Sequence, residues 1–360
     1  MSEKQQSRGV AILAILKILK KHTDREHPLS QHSIQKLLEL EYKMNADRKT
    51  VRRNLSKLME YGFPIHYQGQ DYEEDEIIRK GKNGEEELIM TNWYYDHEFT
   101  NGELRFLIDN VMFTAALTKR YRQDLIAKLE SISTRYFRSE MPKIDMDIFN
   151  RLENADIFGT FENIGLAIAD EKQISFYYYD CGTDCKLYPR LNADGTRKKY
   201  IVNPYQLVSA NGHPYLICNL SPYDDLTHFR LDRIKDSQLL DTPAKPLRKL
   251  YGFETGMRLS VYLAEHPNLW SGEAVHIVFR CKQYMMNDVA DSFGTKVRIE
   301  MFPDNMMKVH LRASEQAMLH WAVQFADEVE VLSPENLRNR IADTLRNALK
   351  KYDSKSDIGR

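Results

Sequence analysis

The sequence predicts a multidomain α+β protein that opens with a winged helix-turn-helix. Three observations lead there. Three short amphipathic stretches near the N-terminus precede a hairpin signal, and the third stretch is basic. Short strands separated by turns fill the middle of the chain. Beyond residue 273 strands and helices alternate.

The first stretch, Val10 to Lys21, carries Val10, Leu13, Ala14, Ile15, Leu16, Ile18 and Leu19, a helix with a broad apolar face. Pro28 ends the loop after it. Ser30 is a good N-cap for a second helix bearing Ile34, Leu37, Leu38 and Leu40. Asn45 or Asp47 can cap a third, whose Val51, Leu55 and Leu58 share one face, and Gly62 ends it. A tight connection between the second and third helices makes a helix-turn-helix. Pro64 to Gln68 and Glu87 to Tyr95 have strand composition, and the Lys80 to Gly84 cluster lies between them as a turn. This reads as a wing. Thr100 caps a helix from about Glu103 to Lys119, and a second runs from Gln123 to Phe137 as a spacer. Pro142 marks a linker.

From Asn163 the period changes. Ile164, Ala167 and Ile168 make a short helix, Ile174 to Tyr179 a strand, and Tyr200 to Val208 another. Asn211-Gly212 is a hairpin turn between that strand and Tyr215-Leu216-Ile217-Cys218, and Phe229 to Ile234 follows as a further strand. One helix with several short strands suits a small barrel, bounded by Pro243 and Pro246. After it, Glu273 to Lys282, Met306 to Arg312 and Val329 to Leu332 read as strands. Asn287 to Phe293, Ser314 to Gln324 and Pro334 to Tyr352 read as helices, a ferredoxin-type α+β unit.

A length of 360 residues exceeds one small core, and 42% hydrophobic content suffices for globular domains. The net charge of -1 means that nucleic-acid binding must come from a local patch. Four cysteines are too few for a disulfide framework. Cys181 and Cys185 lack the second pair that a zinc site needs, so two reduced thiols are expected. The polar start Met1-Ser2-Glu3-Lys4 has no signal-peptide core. The longest apolar run, Val10 to Leu16, falls short of the roughly 20 residues of a membrane span, so a cytoplasmic location is expected. Phosphate-loop, dinucleotide, nucleophile-elbow and zincin motifs are all missing, which argues against an enzyme. No cofactor and no metal are expected.

Two sets of residues carry chemistry. At about 100° per residue, Lys49, Arg53 and Ser56 lie opposite the Val51, Leu55 and Leu58 face, Arg52 is on its shoulder, and Arg48, Thr50 and Lys57 border it. A basic helix after a helix-turn is the element that enters a major groove, with Lys80 and Lys82 of the wing reaching the flanking backbone. In the middle domain Arg230 and Arg233 suggest an anion site, although either could be a structural ion pair with Asp232 or Asp236.

The stretch Ala210 to Ile234 resembles the WYL-domain regulators, with Pro214-Tyr215-Leu216 standing where the family's namesake motif begins with Trp. The strand should be an edge at Pro214, or should start after it. Asp47 to Leu55 resembles the winged helix-turn-helix heads of that family, which often have Asp in place of Asn54. Tyr200 to Tyr205 resembles the strand before the motif. Tyr262 to Glu273 and Val329 to Arg338 resemble the family's C-terminal extension.

The resemblance implies a head over residues 1–97, a helical linker over 98–142, an Sm-like WYL sensor barrel over 143–246 and an extension over 247–360. It implies a pocket of Tyr205, Tyr215, His228, Arg230 and Arg233, with Tyr177 and Tyr179 as further stacking residues, binding a nucleotide or single-stranded nucleic acid. The extension would help dimerise and would close over the pocket or face DNA, while Arg338, Arg340 and Arg346 read as a solvated face. The expected protein is a bacterial homodimeric transcription regulator on double-stranded operator DNA. The alternative is an accessory RNA- or single-stranded-DNA-binding protein that modulates a defence nuclease.

Overall fold

The computed structural model describes residues 8–68, 78–80, 86–88, 90–114, 116–137 and 156–353. Contacts divide the chain into two units, residues 1–114 with 118–149, and residues 115–117 with 150–360.

In the first unit α1 (Arg8–His22), α2 (Gln31–Tyr42) and α3 (Arg48–Glu60) pack their apolar faces into one core. Ser30 caps α2 and Asp47 caps α3, each side chain accepting a backbone N–H three residues on. Gly62, at φ 97°, turns the chain out of α3. Strand β1 (Ile65–Gln68) pairs antiparallel with β4 (Thr91–Tyr95), and β2 (Ile78–Lys80) with β3 (Glu86–Leu88). Leu29 adds a bridge to Trp93, which is fully buried. Helix α4 (Asn101–Phe113) starts with a complete capping box between Thr100 and Glu103. It stops well short of Lys119, because Thr118 caps a new helix, α5 (Lys119–Ser131), which therefore begins before Gln123.

In the second unit α6 (Ile157–Ala169) covers a six-stranded sheet. Its strands are β5 (Lys172–Cys181), β6 (Leu187–Pro189), β7 (Lys199–Ala210), β8 (His213–Asn219), β9 (Leu226–Arg230) and β10 (Ile234–Pro243). The order is β10-β5-β7-β8-β9, with β6 paired to β5. Phe176, Tyr178, Tyr200 and Phe229 interlock edge-to-face inside it. Asn211 (φ 51°) and Gly212 (φ 71°) close the β7–β8 hairpin with both central residues left-handed, the primed turn that matches strand twist.

At Pro214 strand β8 is locally an edge, because its pairing with β9 has not yet begun, and the proline lies within the strand rather than before it. It is the second residue of β8, opposite Ser209 of β7. The closing pair of a two-residue hairpin, Ala210 and His213, is hydrogen-bonded, so the next pair is not. The missing N–H of Pro214 therefore points toward β9, whose pairing starts only at Tyr215 opposite Arg230.

Helix α7 (Leu259–Glu265) leads into β11 (Ala274–Lys282), α8 (Met286–Phe293), β12 (Arg298–Met301), β13 (Met306–Ser314), α9 (Glu315–Gln324), β14 (Val329–Ser333) and α10 (Glu335–Asp353). Its sheet order, β12-β13-β11-β14, with a β-α-β-β-α-β run, is the ferredoxin-type arrangement. The short β12 has no counterpart in the sequence reading. No helix among the described residues is long and apolar enough to cross a membrane.

Candidate nucleic-acid interface

Helix α3 buries Val51, Asn54, Leu55 and Leu58 and exposes Arg48, Lys49, Arg52, Arg53 and Lys57, with Thr50 and Ser56 half-buried. The predicted cationic face is therefore on the surface of this unit. Asn54 continues the buried face. Arg48 Nε donates to Gln31 Oε1 at 2.8 Å and ties the start of α3 to α2. Asp47 accepts from the Thr50 amide at 2.6 Å, which holds its carboxyl below the usual range and keeps it charged at the helix N-terminus. Lys80 closes β2, but its side chain, like all of Lys82, lies outside the described residues.

The five pocket residues of the middle domain do not converge on one point. Residues along β8 and β9 alternate between two faces. Leu216, Cys218 and Phe229 enter the core that α6 covers, whereas Ile217 and Leu226 meet Leu250 and Tyr262 on the other side. Tyr205 packs there too. Its phenol donates to the Lys245 carbonyl at 2.8 Å, and burial pushes its pKa up. His228 lies beside Tyr262, with Nε2 2.8 Å from the Tyr262 hydroxyl. Burial, with the His266 ring nearby, lowers its pKa to about 4, so the ring is neutral near pH 7.

Tyr215 and Arg230 oppose each other at the end of the β8–β9 ladder. Arg230 binds both carboxylate oxygens of buried Asp232, at 3.0 and 2.6 Å, and its Nη2 is 2.8 Å from His213 Nδ1. The structural ion pair with Asp232 is thus present, while Nη1 has no hydrogen-bond partner among the described residues. Arg233 faces Asp180 at 3.9 Å, and its Nε is buried without a partner among the described residues.

Arg190 was not foreseen. It grips Asp180 at 2.7 and 3.1 Å and lies over the Tyr178 ring, 4.8 Å from its centroid. Its hydrogen bonds hold the Asp180 carboxyl below the usual range. Three arginines and two aspartates therefore surround Tyr178, whose hydroxyl accepts from the Arg230 amide at 3.3 Å. Only the β5–β6 pairing brings Arg190 here, and Arg190 carries no motif by which a sequence reading could have picked it out.

A cavity of about 770 Å³ opens between the β8–β9 loop and the C-terminal arm, lined by residues including Asp225, Phe253, Arg258, Tyr262 and Glu273. Arg338, Arg340 and Arg346 on α10 bond to Glu330, Glu315 and Asp343, so each is paired on the helix surface. Cys181 and Cys185 are exposed free thiols. Among the described residues no group of three His, Cys, Asp or Glu could hold a metal ion.

Comparison with known proteins gives two family matches, a WYL domain over residues 159–239 and a WCX domain over residues 273–349. A Bacillus subtilis (strain 168) protein described as the uncharacterized HTH-type transcriptional regulator YobV is 22% identical over 319 residues, covering 85% of this chain and 90% of that protein. Among solved structures, proteasome accessory factor B/C of Arthrobacter aurescens is 16% identical at a TM-score of 0.27, covering 98% of this chain. The present chain spans 50% of that one. A CRISPR Cas-related protein is 11% identical at a TM-score of 0.35, covering 97% of this chain and 85% of its own. TM-scores this low add nothing to the reading of shape or activity.

Proposed function

We propose that this chain, which carries a WYL domain and a WCX domain, is a DNA-binding transcriptional regulator of the WYL-domain family, acting as a homodimer on operator DNA and responding to a nucleotide or single-stranded nucleic acid. One observation carries the reading. Five exposed cations line α3, with Lys49 and Arg53 opposite the face that the helix buries and Arg48, Arg52 and Lys57 flanking them, and α3 follows a tight turn from α2. A helix so mounted can lie in a major groove, where an arginine bonds guanine in bidentate fashion and its neighbours bond phosphate. Two heads related by a two-fold axis would read a palindrome with half-sites about one turn, or a multiple of it, apart.

The effector would meet the arginine-rich rim around Tyr178. Arg230 is oriented there by Asp232 and keeps one guanidinium nitrogen for an anion. Effector binding changes operator affinity only if the two dimer states bind the effector differently.

Titration of promoter duplexes against the wild type and an Arg52→Ala/Arg53→Ala variant tests the reading. A loss of about tenfold or more is expected from removing two charged contacts. Equal affinity would remove α3 from the interface. A preference for single strands over every duplex would favour the accessory-protein reading.

A further inference from the structure

The two faces of β5 carry different chemistry. Ile174, Phe176 and Tyr178 enter the core that α6 covers, so Tyr177 and Tyr179 lie on the opposite, outer face, each half-buried. Register places a lysine on either side of Tyr177, Lys199 of β7 and Lys235 of β10. Directly opposed residues share a face, with Cβ atoms about 5 Å apart. Arg197 lies over the Tyr177 ring, 4.2 Å from its centroid, and Lys235 lies over the Tyr179 ring at 4.8 Å. Arg197 also reaches the Tyr179 hydroxyl at 3.5 Å and Asp236 at 3.1 Å. Asp236 is the one carboxylate bonded to these three cations among the described residues. Lys199 is exposed, and so is Ile201 beside it, at 48%.

This face thus has two rings about 7 Å apart along one strand, with a surplus of positive charge around them. A row of stacking platforms among cations is the arrangement that holds a single strand by base stacking and phosphate contact. A duplex keeps its bases in its own stack and offers none to Tyr177 or Tyr179. Magnitudes favour exchange at the rings. An exposed cation–π contact is the weaker of the two, and a base stacked on an aromatic ring the stronger. A base that displaces Arg197 or Lys235 also releases that cation to a phosphate.

We infer that the outer face of β5 binds single-stranded nucleic acid, with bases on Tyr177 and Tyr179 and phosphates on Arg197, Lys199 and Lys235. This rests on the nucleic-acid effector proposed above, but it moves the contact from the rim around Tyr178, where Arg230 is already committed to Asp232.

The test is fluorescence anisotropy of the full chain with labelled oligothymidylate and oligouridylate, the two arms telling DNA from RNA. Tyr177→Ala/Tyr179→Ala should weaken binding by about tenfold or more. Tyr177→Phe/Tyr179→Phe, which keeps both ring faces, should bind like the wild type and so controls for folding. Lys199→Glu/Lys235→Glu should lower both the affinity and its salt dependence. If the alanine pair binds like the wild type while Arg230→Ala does not, the site is at the rim and this inference fails, with the effector reading intact. If the wild type binds neither oligonucleotide, this inference fails and the effector reading is left with a nucleotide alone. Duplex binding through α3, measured on the same preparations, is untouched by either outcome.

Discussion

Arg230 and Asp232 form a two-pronged ion pair across the turn that ends β9, Nε to Oδ1 at 3.0 Å and Nη2 to Oδ2 at 2.6 Å. Asp232 is 5% exposed. Removing one partner of a buried pair leaves the other charge uncompensated. Asp232→Ala should therefore destabilise the second unit by about 3 kcal/mol, read as a lower urea midpoint. Replacing both residues with apolar ones of similar volume should recover part of that loss. A change below about 0.5 kcal/mol, the size of an ordinary surface substitution, would mean that the pair does not hold the turn.

His228 predicts a pH dependence. Its folded pKa is about 4, and an unfolded histidine titrates near 6.5. The unfolded chain then binds more protons between these values, so stability rises with pH across that window. The contribution is complete above about pH 6.5, falls as pH drops toward 4 and is constant below, a total of about 3 kcal/mol. A His228→Gln variant should show a shallower loss of stability than the wild type from about pH 6.5 to 4. Parallel pH profiles for the two proteins would refute the assignment.

The α3 face predicts a salt effect. Each phosphate neutralised contributes about 0.9 to the slope of log affinity against log salt. The Arg52→Ala/Arg53→Ala variant should lower that slope by about 1–2. A loss of affinity with an unchanged slope would mean that the arginines act on base edges alone, or only on the fold of the head.

Gly212 sits at φ 71°, and a Cβ placed there would meet nothing within 4 Å. The cost of Gly212→Ala is therefore conformational alone, about 1 kcal/mol. A larger drop in thermal stability would point to a contact that the hairpin tip makes elsewhere.

Much of the head could be read from local residues. Ser30 and Asp47 cap the helices they were expected to cap. The Val51, Leu55 and Leu58 face is buried and the basic face opposite it is exposed. The spacer failed at its ends because an apolar period of 3.6 runs through a break that only Thr118 announces. Strand β12 was missed because four residues, Arg298–Met301, are too few for a period. The pocket residues were assembled from chain order and resemblance, which cannot tell that Tyr205 and His228 lie under the C-terminal arm.

By itself the sequence determined the caps, the left-handed Asn211-Gly212 turn, the amphipathic faces and the resemblance to the WYL-domain regulators, because each depends on residues within a few positions of one another or on a short string. Only the tertiary structure decided which cations remain available. Arg190 meets Asp180, Arg230 meets His213, and Lys199 and Lys235 come to flank Tyr177 through strand register across tens of residues. A shift of one residue in that register would turn each side chain to the other face of its strand, and no local pattern in the chain records it.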